Sequence, residues 1–213
     1  MAENNGTTRI ALAGIAGQGI IMVGRILATA ALDTDLWVRT YDVLGTGHRG
    51  TLCFVHISIS NDPEVPPLIA AGEADLLVGF EPLEAMRVGA YYLKTGGEAI
   101  LNTKKVVPVY ASIGADFLVD YPRPKGYPPL EEIFDYFRSI DAKIVSFNAT
   151  DLAESTGHYV MMNMILMGAI MATGKMPLSV EKVKEAIEIL APKGTAAQNI
   201  LAFEKGMEAY KKG

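Results

Sequence analysis

The chain has a single cysteine, Cys53, in 213 residues. A lone cysteine excludes an internal disulfide, and also an iron–sulfur cluster ligated by this chain only. Basic clusters are missing as well. With a formal charge of −5, nucleic acid is not the expected main partner. The sequence contains no nucleophile elbow, no P-loop with its lysine and no His–Glu metal helix. Its three histidines lie far apart, and its carboxylates form no pair with assignable acid and base roles. No catalytic residue and no metal site can therefore be named in this chain. No apolar run reaches the ~20 residues of a membrane span. Tyr159 to Ala172 comes nearest, but Asn163 interrupts it and Thr173-Gly174-Lys175 ends it. It reads as a helix buried in the core or against another subunit. Glu3, Asn4 and Asn5 are polar, so no signal peptide is expected and the expected compartment is the cytoplasm.

What is present is an ordinary globular composition, half apolar and one-fifth charged, long enough for one α/β domain over residues 1–213. The organising stretch is Gly14-Ile15-Ala16-Gly17-Gln18-Gly19. The apolar run Arg9 to Ala13 before it suits a buried parallel strand, and Ile20 to Leu32 after it suits a helix. Strand, glycine-rich turn and helix open a Rossmann-like, doubly wound, mostly parallel sheet, here with a helical C-terminal part. Gly14, Gly17, Gln18 and Gly19 are candidate binding residues, because the free N–H groups of the following helix can receive an anion or a partner's polar group. The dinucleotide fingerprint is incomplete: Ala16 stands at its middle glycine, and Asp33, Asp35 and Asp42 miss the place of the ribose-binding acid.

Further along, Leu36 to Val43 and Leu52 to Ser60 read as strands. Cys53, Val55, Ile57 and Ile59 share one face of the latter, with Phe54, His56 and Ser58 on the other. His56 reads as a partly buried sheet residue. Between these strands, Gly45, Thr46, His48 and Arg49 form a polar loop and a second candidate contact for substrate or partner. Ala74 to Phe80 is a buried strand, and Glu81-Pro82 opens a helix through Leu93. Glu81 lies where open α/β sheets place ligands, but the simpler reading, and the preferred one, is that it favours the positive end of the helix that follows. Asp120 to Pro129 holds four prolines and reads as an extended surface arm with exposed tyrosines. In the C-terminal third, Ser179 caps a helix to Leu190, and Thr195 with Gln198 forms a capping-box pattern before the last helix.

These residues resemble a known family. Arg9 to Gly19 is similar to the N-terminus of the gamma subunit, or gamma domain, of 2-oxoacid:acceptor oxidoreductases, a family that includes the small subunit of indolepyruvate:ferredoxin oxidoreductase. The likeness continues through Phe80-Glu81-Pro82-Leu83-Glu84-Ala85-Met86-Arg87, Asn163 and Gly168, and Asn199, Ala202, Phe203 and Gly206. It departs at Leu44 to Thr51, where the family's H-G-M-x-Q-R-G-G keeps only two glycines and Arg49.

The resemblance implies a subunit that holds no cofactor alone. Companion subunits would carry thiamine diphosphate with magnesium, and the iron–sulfur clusters. The complex would oxidatively decarboxylate a 2-oxoacid, such as pyruvate, indolepyruvate or another aryl or branched acid. Its products would be an acyl-CoA, formed with coenzyme A, and reduced ferredoxin. The missing Gly-Asp-Gly thiamine signature and the single cysteine agree with that division. The alternatives are a free-standing NAD- or FAD-binding oxidoreductase and a non-redox module that recruits partners through the apolar helix.

Overall fold

The computed structural model describes residues 6–45, 50–108 and 127–213. Strand β1 (Thr8–Ile15) leads through the glycine turn into α1 (Ile20–Ala30), followed by β2 (Trp37–Leu44), β3 (Leu52–Ser60) and β4 (Ala74–Gly79). Next come α2 (Pro82–Tyr92), β5 (Leu93–Asn102), α3 (Leu130–Ser139), β6 (Lys143–Phe147) and α4 (Ala149–Glu154). A 3-10 turn (Tyr159–Met161), α5 (Met162–Ala172), α6 (Val180–Leu190) and α7 (Ala196–Lys212) complete the described chain.

The six strands lie in the order β2-β3-β1-β4-β5-β6. β1, β4, β5 and β6 pair in parallel, whereas β3 is antiparallel to both β1 and β2. The direction of β3 follows from chain length. Residues 45–51 are too few for a parallel crossover, which needs about a dozen or more. β3 therefore folds back as a hairpin and inserts between β2 and β1.

Alternation along the strands builds two cores. Ile10, Leu12, Val55, Ile57, Leu76 and Val78 face α1, α5, α6 and α7, while Ala11, Ala13, Leu77, Ala99 and Leu101 face α2 and α3. Helices on both faces make the sheet doubly wound, as expected, with the C-terminal helices on the α1 side. The face assignments in β3 hold as well, since Cys53, Val55, Ile57 and Ile59 all belong to the α1-side core.

Several local expectations change. The helix expected through Leu93 ends at Tyr92, and β5 starts at Leu93, with a register shift against β4 near Ala74. The segment at Tyr159 divides into an exposed 3-10 turn and a buried α5. Ser179 does cap α6, accepting from the Lys182 N–H at 3.2 Å. Thr195 does not cap α7. Its backbone is helical and its hydroxyl is turned back to the Pro192 carbonyl at 2.8 Å, so no capping box forms. His56 is fully buried rather than partly so.

Candidate functional site

The carboxyl ends of β1, β4 and β5 meet at one edge of the sheet, and two side-chain amides fasten them together. Gln18 Oε1 accepts from the Ile15 N–H at 2.7 Å, and its Nε2 donates to the Phe80 carbonyl at 3.4 Å. Asn102, at the end of β5, donates to the same carbonyl at 2.9 Å. Its Oδ1 accepts from the Ala149 and Lys104 N–H groups at 3.0 and 3.2 Å. Fully buried, Asn102 thus ties β4, β5 and the start of α4 into one unit. Sequence reading passed over it. Its signal was a polar residue closing an apolar strand at the edge where ligands sit.

The three glycines of the turn serve different ends. A Cβ on Gly14 would stand 2.6 Å from Phe80 Cβ, so glycine there permits close packing of the turn on β4. Gly17 has φ +101 and no neighbour within 4 Å of an added Cβ, so glycine there permits the backbone reversal. Gly19 is the N-cap of α1 in the left-handed region and supplies no capping side chain. Its added Cβ would lie 2.7 Å from Asn163 Nδ2, across in α5.

The hairpin brings the second candidate loop to this edge. Ala16 N–H donates to the Thr51 carbonyl at 2.9 Å, and Gly45 N–H to the Leu52 carbonyl at 3.1 Å. The loop's roots, Gly45 and Thr51, therefore stand beside the glycine turn. Thr46, His48 and Arg49 lie outside the described residues.

Glu81 is fully buried and caps α2, accepting from the Glu84 N–H at 2.9 Å. The simpler expectation for this residue holds, since its carboxylate sits at the positive end of a helix. It also accepts a hydrogen bond from the Tyr127 hydroxyl. Burial raises the Glu81 carboxyl above its ordinary value, against the pull of that hydroxyl and of nearby backbone N–H groups. Buried Glu84 is paired with Arg87 Nη1 at 2.9 Å. Tyr127 belongs to the proline-rich arm and is half-buried here rather than exposed; positions 120–126 of that arm lie outside the described residues.

The topology speaks against a dinucleotide site of the usual kind. That site takes its ribose-binding acid from the end of the parallel strand next to β1. Here the neighbour on that side is antiparallel β3, which begins rather than ends at this edge.

The sequence matches the family described as pyruvate ferredoxin/flavodoxin oxidoreductase over residues 9–209. The chain belongs to that family. Within it, the chain is of the gamma type, a subunit of a 2-oxoacid:ferredoxin oxidoreductase. It is 34% identical over 201 residues to the indolepyruvate oxidoreductase subunit IorB of Methanothermobacter thermautotrophicus, covering 94% of this chain and 96% of that one. Against the 2-oxoglutarate synthase subunit KorC of the same organism it is 30% identical over 207 residues, covering 96% and 95%. Its fold is shared with the keto/oxoacid ferredoxin oxidoreductase gamma subunit of Geobacter sulfurreducens, at a TM-score of 0.67, 22% identity and coverage of 97% and 99%. Beyond the glycine turn, family-like residues of this gamma-type chain fall at two further places. Glu81, Glu84 and Arg87 stand at the sheet edge, and Gly168 and Gly206 at the contact of α5 with α7. Among the described residues, no helix is long and apolar enough to cross a membrane.

Proposed function

We propose that this chain is the small subunit of a cytoplasmic oxidoreductase that decarboxylates an aryl 2-oxoacid of the indolepyruvate class and passes the electrons to ferredoxin. The observation that carries the reading is the comparison within one organism. Over nearly full length, the chain is more similar to the indolepyruvate subunit than to the 2-oxoglutarate subunit. In the overall reaction the 2-oxoacid loses carbon dioxide, the acyl group forms a thioester with coenzyme A, and two electrons reduce the acceptor.

Thiamine diphosphate with magnesium, and the iron–sulfur clusters, belong on companion subunits in this reading. The residues of this chain do not fit a cluster. Its one cysteine is buried in β3, and burial together with the Asp42 charge pushes the thiol up to about 11, disfavouring the thiolate that binds iron. The chain's share is to present a surface as one gamma-type unit. In this reading the contact with coenzyme A or the companion subunits falls to Gly14, Gly17, Gln18 and Gly19 and to the loop residues Gly45, Thr46, His48 and Arg49. Supporting this are the common edge of the two loops' roots and the open N-terminus of α1.

The test is co-expression with the companion subunits, followed by acceptor reduction assayed with indolepyruvate, pyruvate and 2-oxoglutarate, each with coenzyme A. The expected result is turnover by the complex only, highest with indolepyruvate. Turnover by the isolated chain, or a complex that prefers 2-oxoglutarate, overturns the reading.

A further inference from the structure

The two edges of the sheet differ. At one end β6 is five residues long, starts with Lys143 and has the end of α7 against it, where an added Cβ on Gly213 would stand 3.4 Å from Val145 Cγ1. Shortness, a lysine and a cover all guard an edge strand against further pairing. At the other end β2 runs for eight residues, Trp37–Leu44, with no proline, glycine or lysine and an unbroken register against β3. Among the described residues, no strand pairs with its outer side. Three large apolar side chains, Trp37, Tyr41 and Leu44, are exposed along it. A long, apolar, unguarded edge is a site for adding a strand.

The ladder with β3 decides which backbone groups are free to pair. Gly45 N–H donates to the Leu52 carbonyl, and these two residues stand opposite each other when the β2–β3 register is continued by one step. In an antiparallel pair, bonded and non-bonded positions alternate. Trp37, Arg39, Tyr41 and Val43 therefore direct their backbone groups to β3. Val38, Thr40, Asp42 and Leu44 direct theirs outward.

We propose that β2 pairs antiparallel with β2 of a second copy of this chain, about a two-fold axis that passes through Tyr41 perpendicular to the sheet. Only this register sets all four outward residues against the same four of the other copy. Val38 then lies opposite Leu44 of the second copy, and Thr40 opposite Asp42 of the second copy. Each face of one sheet continues into the same face of the other. On the α1 side, apolar meets apolar, and the Thr40 hydroxyl can donate to the opposing Asp42 carboxylate. On the α2 side, Tyr41 meets its own copy on the axis, the stem of Arg39 crosses Val43, and Trp37 covers Gly45. No charge faces its like. This self-complementarity selects a second copy as the occupant, since a two-fold interface uses one patch twice. The pairing goes beyond the oxidoreductase reading and does not depend on which 2-oxoacid the complex uses.

Sedimentation velocity on the purified full-length chain, across a wide range of concentration, should show a monomer–dimer equilibrium. Emission from Trp37, the one tryptophan of the chain, should shift to the blue as the copies associate. Asp42→Pro removes an outward N–H and the carboxylate but leaves the β3 ladder intact. It should weaken the dimer by about tenfold or more, with a thermal midpoint near wild type. Tyr41→Cys gives a second measurement. Opposed non-bonded positions have Cα atoms about 4.5 Å apart, within disulfide reach, and native Cys53 is buried. Under oxidation the Tyr41→Cys chain should cross-link to itself, both alone and in the complex co-expressed with companion subunits. Val43→Cys, whose two copies lie well apart in this register, should not. A chain that stays monomeric at every concentration overturns the proposal, as does equal cross-linking of the two variants. So does an Asp42→Pro chain that dimerises normally but fails to join the companion subunits, which would assign β2 to them. If Asp42→Pro does not fold, the cross-linking pattern decides.

Discussion

Gly206 of α7 lies so close to Ile165 of α5 that a Cβ on the glycine would stand 1.8 Å from the Ile165 carbonyl oxygen. The contact is reciprocal, because a Cβ on Gly168 would stand 1.9 Å from the Phe203 carbonyl oxygen. Both obstructing atoms are backbone, so neither can swing aside. Gly206→Ala and Gly168→Ala should each destabilise the chain by about 1–3 kcal/mol or more. That outweighs the roughly 1 kcal/mol that alanine gains over glycine in a helix. Urea midpoints measure this, and unchanged midpoints would mean that the two helices can separate at little cost.

Acid should weaken the fold through His56. Its Nδ1 accepts from the Ile69 N–H at 3.2 Å, and its ring packs edge-on to Tyr92 with centroids 4.3 Å apart. Burial lowers its pKa from 6.5 to about 4. Between those values the unfolded chain binds the proton and the native chain does not, so stability falls as pH drops through that window. The loss approaches about 3 kcal/mol near pH 4. Unfolding free energies of wild type and His56→Gln, measured from pH 7 to 4, should diverge, with the wild type declining more steeply. Parallel curves would show that His56 titrates normally.

Asn102→Leu should cost about 2–4 kcal/mol. The substitution leaves the buried Ala149 N–H without its acceptor and removes a donor from the Phe80 carbonyl. Hydrogen exchange at Ala149 should accelerate more than exchange in the centre of β4. Uniform acceleration across the sheet would point to general loosening instead.

The glycine turn offers a graded test. Gly17→Ala meets no atom and only has to hold a positive φ, which costs about 1–2 kcal/mol. Gly14→Ala must displace Phe80 and the Gln18 carboxamide together, and should lose more. Thermal melts of the two variants give the order, and a reversed order would contradict the division of roles between these residues.

Much of this architecture was legible because it is local. Whether Val55 or Phe54 faces α1 follows from alternation along one strand, and Ser179 caps α6 through an amide three residues away. The turn after β1 was equally plain, since only glycine readily holds the positive φ of Gly17 and Gly19. The candidate loop at Gly45 was also visible from its glycines and polar residues. That it begins beside the glycine turn was not, because this depends on β3 inserting antiparallel against β1.

By itself the sequence determined where apolar faces and sharp turns must lie, and that one cysteine cannot build a cluster. The tertiary structure alone decided which polar groups meet. Gln18 and Phe80 are 62 positions apart, Asn102 and Met162 are 60 apart, and Glu81 and Tyr127 are 46 apart. Periodicity carries no information about such pairs. Local pattern also misled at Thr195, where the nearby Pro192 carbonyl takes the hydroxyl that a capping box would use. A strand's pattern is set by the solvent on its two sides and so can be read from neighbouring residues. A hydrogen bond between distant residues exists only once the chain has closed the loop between them, and the entropy of that closure is met by the whole core, not by either partner.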